Sequence, residues 1–326
     1  MSEVLIYAGA FARIEAAFKA RVPGVQALLW HDDQTVTRDG VTVSSDEIQP
    51  VAAWMSGDVL GGRLQRAISE TIASLPSIRW VQTANAGLDN PAYLLMAGRS
   101  IRFSKSGAQS IPIAEYVLTY ALNHVQNVKF REQMEADKQW RTHLFGELWH
   151  SRWLIFGYGH IGRHVARRAQ AFDAQVTVVR QSGAPADYAD AVVSMQDMPV
   201  ALSESDFVVL ACPATEQTIG MVDVRFISGM KQGSAIINVA RGSLIDEQAL
   251  LAGLADERPA YAALDVFQSE PLPEDSPLWE HPHVTVTAHT SNAGRGTRPR
   301  GDELFLSNLE LFLAGEEPTD LVDLPG

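Results

Sequence analysis

Three polar residues, each placed just beyond an apolar run, could together reduce a ketone that carries a carboxylate next to it. Arg241 ends Ala235-Ile236-Ile237-Asn238-Val239-Ala240-Arg241. Glu270 follows Ala263-Leu264-Asp265-Val266-Phe267 and opens Glu270-Pro271-Leu272-Pro273. His289 ends Val284-Thr285-Val286-Thr287-Ala288-His289. An arginine fork grips the paired oxygens of a 2-oxo acid better than a point charge does. Hydride addition leaves an alkoxide, and histidine is the usual proton donor near neutral pH. A carboxylate bonded to the imidazole would orient it and favour its protonated form. In this reading Arg241 holds the substrate, His289 delivers the proton and Glu270 supports His289. Taken singly, each has a plain alternative: a loop cation, turn chemistry beside proline, a satisfied histidine at a strand end.

A second motif suggests where the hydride comes from. Trp153-Leu154-Ile155-Phe156 is a short apolar strand, Gly157-Tyr158-Gly159-His160-Ile161-Gly162 follows at once, and Val165–Phe172 continues as a helix. Gly157 permits a tight turn, Gly159 lets the backbone approach a pyrophosphate, and Gly162 lets helix and strand pack closely. The pyrophosphate would sit on the helix N-terminus. Glycines at this spacing also serve ordinary turns, but here a strand precedes, a helix follows, and Gln175–Val179 supplies the next strand. That strand runs out into Arg180-Gln181-Ser182, where an NAD site usually places a carboxylate for the ribose 2′-hydroxyl. A cation and a hydroxyl suit a 2′-phosphate, so NADP(H) is expected in preference to NAD(H).

In an open α/β sheet, ligands bind beyond the carboxyl ends of the strands. The elements needed for that are legible. Val4–Tyr7, Val25–Trp30, Val51–Trp54 and Ile78–Gln82 are expected strands; Phe11–Arg21 and Leu64–Leu75 are expected helices, the second stopped by Pro76. Ile111–Phe130 is expected as one long amphipathic helix with proline in its first turn, and Trp140–His150 as irregular chain. A second alternating block runs from Arg152 to Thr287, and Gly301–Ala314 is a last helix ending at Gly315. The pattern predicts an α/β chain of parallel sheets and crossover helices, in two domains over 326 residues. The single cysteine, Cys212, excludes an internal disulfide and a multi-thiolate zinc site, no metal is expected, and a cytoplasmic setting fits. The N-terminus has no basic n-region, and no stretch approaches ~18 apolar residues, so neither a signal peptide nor a membrane span is expected. A net charge of −13 argues against nucleic acid and membrane partners.

With these motifs assembled, the chain resembles the D-2-hydroxyacid dehydrogenase family over nearly its whole length. Ile237–Gly242 is similar to that family's arginine motif, Asp265–Phe267 with Glu270–Pro273 to its glutamate motif, and Pro282–His289 to its histidine motif, with Ala288 where proline is more usual. The resemblance implies a Rossmann-type doubly wound cofactor domain, 109–290, inserted into a discontinuous flavodoxin-like substrate domain, 1–108 and 291–326. It implies that Asn85-Ala86-Gly87-Leu88-Asp89-Asn90 holds the substrate carboxylate through backbone N–H groups at Ala86 and Gly87, and that Met55 and Ser56 belong to another pocket wall. It places Cys212, Pro213, Val239, Ala240, Arg241, Asp265 and His289 beside the cofactor, Cys212 packing rather than reacting. It also implies a homodimer paired through the cofactor domain, for which the apolar circumference of 111–130 offers a surface. Arg180 and Pro277-Leu278-Trp279 make the chain most similar to the glyoxylate and hydroxypyruvate reductases. The alternatives are a dehydrogenase for phosphoglycerate, lactate or a bulkier D-2-hydroxy acid, or a non-catalytic nucleotide-sensing interaction protein, in which an intact trio would not be expected.

Overall fold

A computed structural model describes residues 2–88 and 90–322. Asp89 of the expected carboxylate loop, Met1 and residues 323–326 lie outside the described residues. The chain divides into two compact units, Met1–Gln109 with Arg295–Gly326, and Ser110–Gly294.

The first unit opens with β1 (Glu3–Tyr7), α1 (Ala8–Arg21) and β2 (Gln26–Trp30), then β3 (Val36–Arg38), β4 (Val41–Val43), β5 (Pro50–Met55), α2 (Gly62–Ser74), β6 (Trp80–Thr83) and β7 (Arg102–Ser104). Helix α1 turns Phe11, Ile14 and Phe18 inward at helical spacing. The pair β3–β4 is an antiparallel hairpin that the sequence reading passed over. Its signal was present: Asp39 and Gly40 both have positive φ, 51° and 80°, as a two-residue hairpin turn requires.

The second unit begins with α3 (Ser110–Gln126) and α4 (Val128–Ala136), and continues through β8 (Arg152–Phe156), α5 (His160–Gln170), β9 (Gln175–Val179), β10 (Ala191–Val193), α6 (Met198–Glu204), β11 (Phe207–Leu210), α7 (Val224–Gly229), β12 (Ala235–Asn238), α8 (Glu247–Ala255), β13 (Tyr261–Leu264) and β14 (Val284–Val286). Strand order is β10-β9-β8-β11-β12-β13-β14, all neighbours parallel, the doubly wound order. Helices α3 and α5 cover one face through Ile113, Val117, Val165 and Ala169. Helices α6, α7 and α8 cover the other through Leu202, Phe226 and Leu250. The expected single helix 111–130 is broken, because Asn127 takes up the left-handed conformation (φ 52°), which asparagine tolerates. Its apolar circumference is also absorbed within this unit: Ile113 and Val117 are buried, and Tyr116, Tyr120, Leu122 and Val125 pack on the same cluster. The exposed large apolar side chains of this region come later, at Trp140, Leu144, Phe145 and Trp149, in chain that is irregular as expected.

The chain then returns to the first unit as α9 (Thr297–Ala314), ended by Gly315 at φ 78°, and β15 (Leu321–Val322). Phe305 of α9 stacks on Trp54 at 4.3 Å, and buried Asn308 donates to Gln82 Oε1 at 2.7 Å. The first unit's sheet runs β15-β7-β6-β5-β1-β2-β3-β4. With the antiparallel hairpin and β15 set aside, this is the flavodoxin-like order. Among the described residues no helix is long and apolar enough to cross a membrane.

Candidate active site

The carboxyl ends of β8, β9, β11, β12, β13 and β14 lie along one edge of the second unit's sheet, because the strands are parallel. The glycine motif, Arg180, Cys212, Arg241, Asp265 and His289 each follow one of these ends within a few residues. Doubly wound topology therefore gathers residues that are far apart in sequence.

The three glycines differ as the sequence reading expects. A Cβ on Gly157 would meet the Ala211 carbonyl oxygen at 2.7 Å, and one on Gly162 would meet the Gly157 oxygen at 2.0 Å. Neither position tolerates a side chain. A Cβ on Gly159 would meet nothing within 4 Å. Gly159 caps α5 with no side-chain bond, and the first turn carries no acid. The open space above uncapped N–H groups fits a pyrophosphate. Beside it, the Arg180 guanidinium lies 5.8 Å over the Tyr158 ring and bonds the carbonyls of Ala184 and Pro185, both at 3.3 Å. Arg180 is thus held in place next to the glycine motif. His160, Gln181, Ser182 and Pro213 are exposed, while Ile161, Val239 and Ala240 pack their side chains into the unit and offer only backbone to a ligand.

His289 Nδ1 and Glu270 Oε2 are 2.8 Å apart. Glu270 Oε1 accepts the Phe267 N–H at 3.0 Å, so both carboxylate oxygens are engaged. A carboxylate only accepts, so Nδ1 carries the hydrogen and Nε2 is left for a substrate. The histidine side chain is 46% exposed. Arg241 precedes a short turn at Gly242–Leu244, and Asn238 braces it by bonding the Arg241 carbonyl at 2.9 Å and the Ala240 N–H at 3.0 Å. A Cβ on Gly242 would fall 1.8 Å from the Phe267 carbonyl carbon. Only glycine lets the Arg241 loop lie directly against the loop that carries Glu270. Backbone contact thus sets the Arg241 loop against the Glu270 loop, and His289, from a third strand exit, joins them through its bond to Glu270.

A family model for the D-isomer specific 2-hydroxyacid dehydrogenases, NAD binding domain, matches residues 118–291. The chain is 31% identical over 290 residues to D-3-phosphoglycerate dehydrogenase from Mycobacterium leprae, covering 86% of this chain and 54% of that one. It is 27% identical over 307 residues to glyoxylate reductase from Thermococcus kodakarensis, covering 90% and 89%. A D-isomer specific 2-hydroxyacid dehydrogenase family protein from Aeromonas salmonicida has the same fold, with a TM-score of 0.79 at 26% identity and 99% of each chain covered. The chain belongs to the D-isomer specific 2-hydroxyacid dehydrogenase family. It spans about half the length of the mycobacterial phosphoglycerate dehydrogenase.

Several residues expected to line a site in this dehydrogenase are already engaged within their own units. Met55 is fully buried in the first unit's core, so its side chain is not available to a substrate. The Ser56 hydroxyl donates to Asp58 at 3.0 Å. The Ala86 N–H is accepted by the Gln109 side chain at 2.7 Å, whereas no bond to the Gly87 N–H is seen among the described residues. The Asp265 carboxylate is 1% exposed and turned toward the histidine loop. It accepts from the Thr287 hydroxyl at 2.6 Å, from Thr290 N at 2.8 Å and from Ser291 N at 3.1 Å. Sequence reasoning assigned no role to Thr287, although it lies inside the histidine motif, nor to Tyr116, which bonds it at 2.8 Å from 171 residues away. No local signal links those two.

Cys212 packs against the core, and burial pushes its thiol up to about 11. The raised value leaves less thiolate, the reactive form. At pH 8 Ellman's reagent should react with the folded protein roughly a hundredfold more slowly than with the unfolded chain. Equal rates would mean an accessible, ionised thiol.

Proposed function

We propose that this dehydrogenase reduces a small 2-oxo acid of the glyoxylate or hydroxypyruvate type to the D-2-hydroxy acid, with NADPH as donor and His289 as proton source. The observation that carries the reading is the 2.8 Å pair of His289 Nδ1 and Glu270 Oε2, which leaves Nε2 without a partner among the described residues. A bound nicotinamide supplies the hydride that C2 receives. Arg241 holds the substrate carboxylate and the neighbouring oxygen as a fork. His289 gives the Nε2 proton to that oxygen as the carbonyl becomes a hydroxyl, and the neutral ring regains a proton from water. Glu270 keeps the Nδ1 hydrogen throughout and so fixes the ring plane.

The unit Ser110–Gly294 then serves as the cofactor domain, and Met1–Gln109 with Arg295–Gly326 as the substrate domain, with Gly87 as a carboxylate contact. Two cations are tied to the Ser56–Asp58 loop: Arg13 spends its fork on Asp58 at 2.8 Å and Asp302 at 3.1 Å, while Arg298 reaches Asp58 at 3.6 Å and is largely exposed, the one of the two that could meet a phosphorylated substrate. The direct test is NADPH oxidation with a panel of 2-oxo acids. Turnover of glyoxylate or hydroxypyruvate supports the reading, and turnover of a phosphorylated acid alone overturns it.

The preference for NADPH rests on Arg180, held beside the glycine motif at a strand end, 180–182, that carries no carboxylate to repel a 2′-phosphate. Arg180→Asp should shift the NADPH/NADH ratio of kcat/KM by roughly ten- to a hundredfold, because a charge-assisted bond of about 1.5–3 kcal/mol is lost and repulsion added. A wild-type enzyme that uses both nucleotides equally would contradict the assignment. We further place the protein in the cytoplasm, which the lone reduced thiol favours. A homodimer is the assembly we expect, with Trp140, Leu144, Phe145 and Trp149 as the surface, since apolar side chains clustered this closely mark an interface. Light scattering at micromolar protein should give twice the chain mass; the mass of one chain would count against it.

A further inference from the structure

His289 has φ 52°, a left-handed conformation that a residue with a Cβ disfavours. Such a backbone persists only where its surroundings over-determine it. Two sets of bonds do so here. The His289 N–H donates to the Asp265 carbonyl at 2.8 Å. The Asp265 carboxylate takes the N–H groups of Thr290 and Ser291 and, from the other side of the histidine, the hydroxyl of Thr287. One buried aspartate therefore clamps the loop on both sides of His289.

The clamp has a further support outside the loop. A hydroxyl has one hydrogen. The Thr287 hydrogen is committed to Asp265 at 2.6 Å, so in its 2.8 Å contact with Tyr116 Thr287 can only accept. Tyr116 donates. Burial raises the tyrosine's pKa, which keeps that hydrogen in place. Tyr116 sits in the second turn of α3, and the turn before it packs on the same segment: a Cβ on Gly294 would lie 2.6 Å from Pro112. The chain Tyr116–Thr287–Asp265 is a series of donors ending on a carboxylate, an arrangement in which each bond strengthens the next.

We propose that Tyr116 is a positioning residue for His289: its hydroxyl, donated to Thr287, fixes the Asp265 carboxylate that holds the histidine loop in its strained form. The proposal rests on the reading of His289 as proton donor. Tyr116 touches no reacting atom. Its removal should loosen the histidine without disturbing the glycine motif or Arg180, which belong to other strand exits.

The test compares Tyr116→Phe, Thr287→Val, Thr287→Ser and the double variant Tyr116→Phe/Thr287→Val. Tyr116→Phe should lower kcat roughly three- to tenfold, the scale of one hydrogen bond, and leave nucleotide affinity unchanged. Thr287→Ser, which keeps the hydroxyl, should match wild type. The double variant should be no worse than Thr287→Val, because the tyrosine acts only through that hydroxyl. A second readout needs no turnover. In protein with ¹⁵N-labelled histidine, the His289 ring signals, identified by their loss in His289→Asn, should move in Tyr116→Phe and stay put in Thr287→Ser. Wild-type kcat with unmoved signals in Tyr116→Phe overturns the proposal, whatever happens to the melting temperature. A fall in kcat matched by a fall in nucleotide affinity overturns it too, since that reports general loosening. Full activity in His289→Asn would instead sink the proton-donor reading, and the ring signals would still decide whether Tyr116 positions the imidazole.

Discussion

Replacing His289 by alanine should lower kcat by roughly 10²–10⁴-fold, the usual contribution of a placed general acid. Nucleotide affinity should be unchanged, because the glycine motif follows β8 and the histidine follows β14 at the far side of the sheet order. The split between kcat and nucleotide affinity is the informative part. A folding defect would lower both. Glu270→Gln is the natural companion. The glutamate accepts two N–H groups, one from Phe267 and one from His289 Nδ1. Glutamine has one acceptor oxygen. Either Phe267 loses its partner or Nδ1 must become the acceptor, and then Nε2 carries the only hydrogen of a neutral ring, a far weaker acid. The loss should be roughly 10–100-fold, the cost of one unsatisfied donor. Equal activity of wild type and Glu270→Gln would mean that the pair does no chemical work.

Arg241→Gln should lower kcat/KM for the 2-oxo acid by roughly 10²–10⁴-fold. Two charge-assisted bonds are lost, each worth about 1.5–3 kcal/mol, and the remaining amide cannot form a fork. Arg241→Lys should recover only part, because a point charge does not match two oxygens at fixed spacing. The loop itself should survive either change. The guanidinium gives the loop one bond, to the Ala240 carbonyl at 2.7 Å, but the Asn238 side chain and Gly242 under Phe267 shape it without the guanidinium. Steady-state kinetics in the 2-oxo acid at saturating NADPH measures this, and an unchanged kcat/KM would remove Arg241 from the substrate site.

Much of this was readable in advance for a physical reason. The glycines at 157, 159 and 162 answer to steric demands only a few residues away, so their spacing is a local record of the turn. The same holds for Gly315, which ends α9 in the left-handed conformation. The hairpin at Asp39-Gly40 has an equally local signal in its Asp-Gly turn. The break at Asn127 was harder, because helical periodicity runs on through it and only the tolerance of asparagine for positive φ hints at a stop. Met55 rested on the resemblance alone: strand β5 is buried on both faces, so its own pattern does not tell which side chains face inward. The histidine's supports were out of reach altogether. Thr287 and Tyr116 meet only because α3 packs on the exit of β14, and no local signal ties the Asp265 carboxylate to the histidine loop. Catalytic side chains are marked by type and strand position; the groups that hold them are marked only by the folded contact.

The most direct measurement of the central claim follows the transferred hydrogen. Reduced nicotinamide carrying deuterium at both C4 positions is incubated with the enzyme and hydroxypyruvate, and the product is analysed for deuterium at C2 and for configuration. The account predicts a D-2-hydroxy acid with one deuterium at C2 from wild type, and no such product above background from His289→Ala. A product without deuterium, a product of the L configuration, or equal labelled turnover by His289→Ala would contradict it.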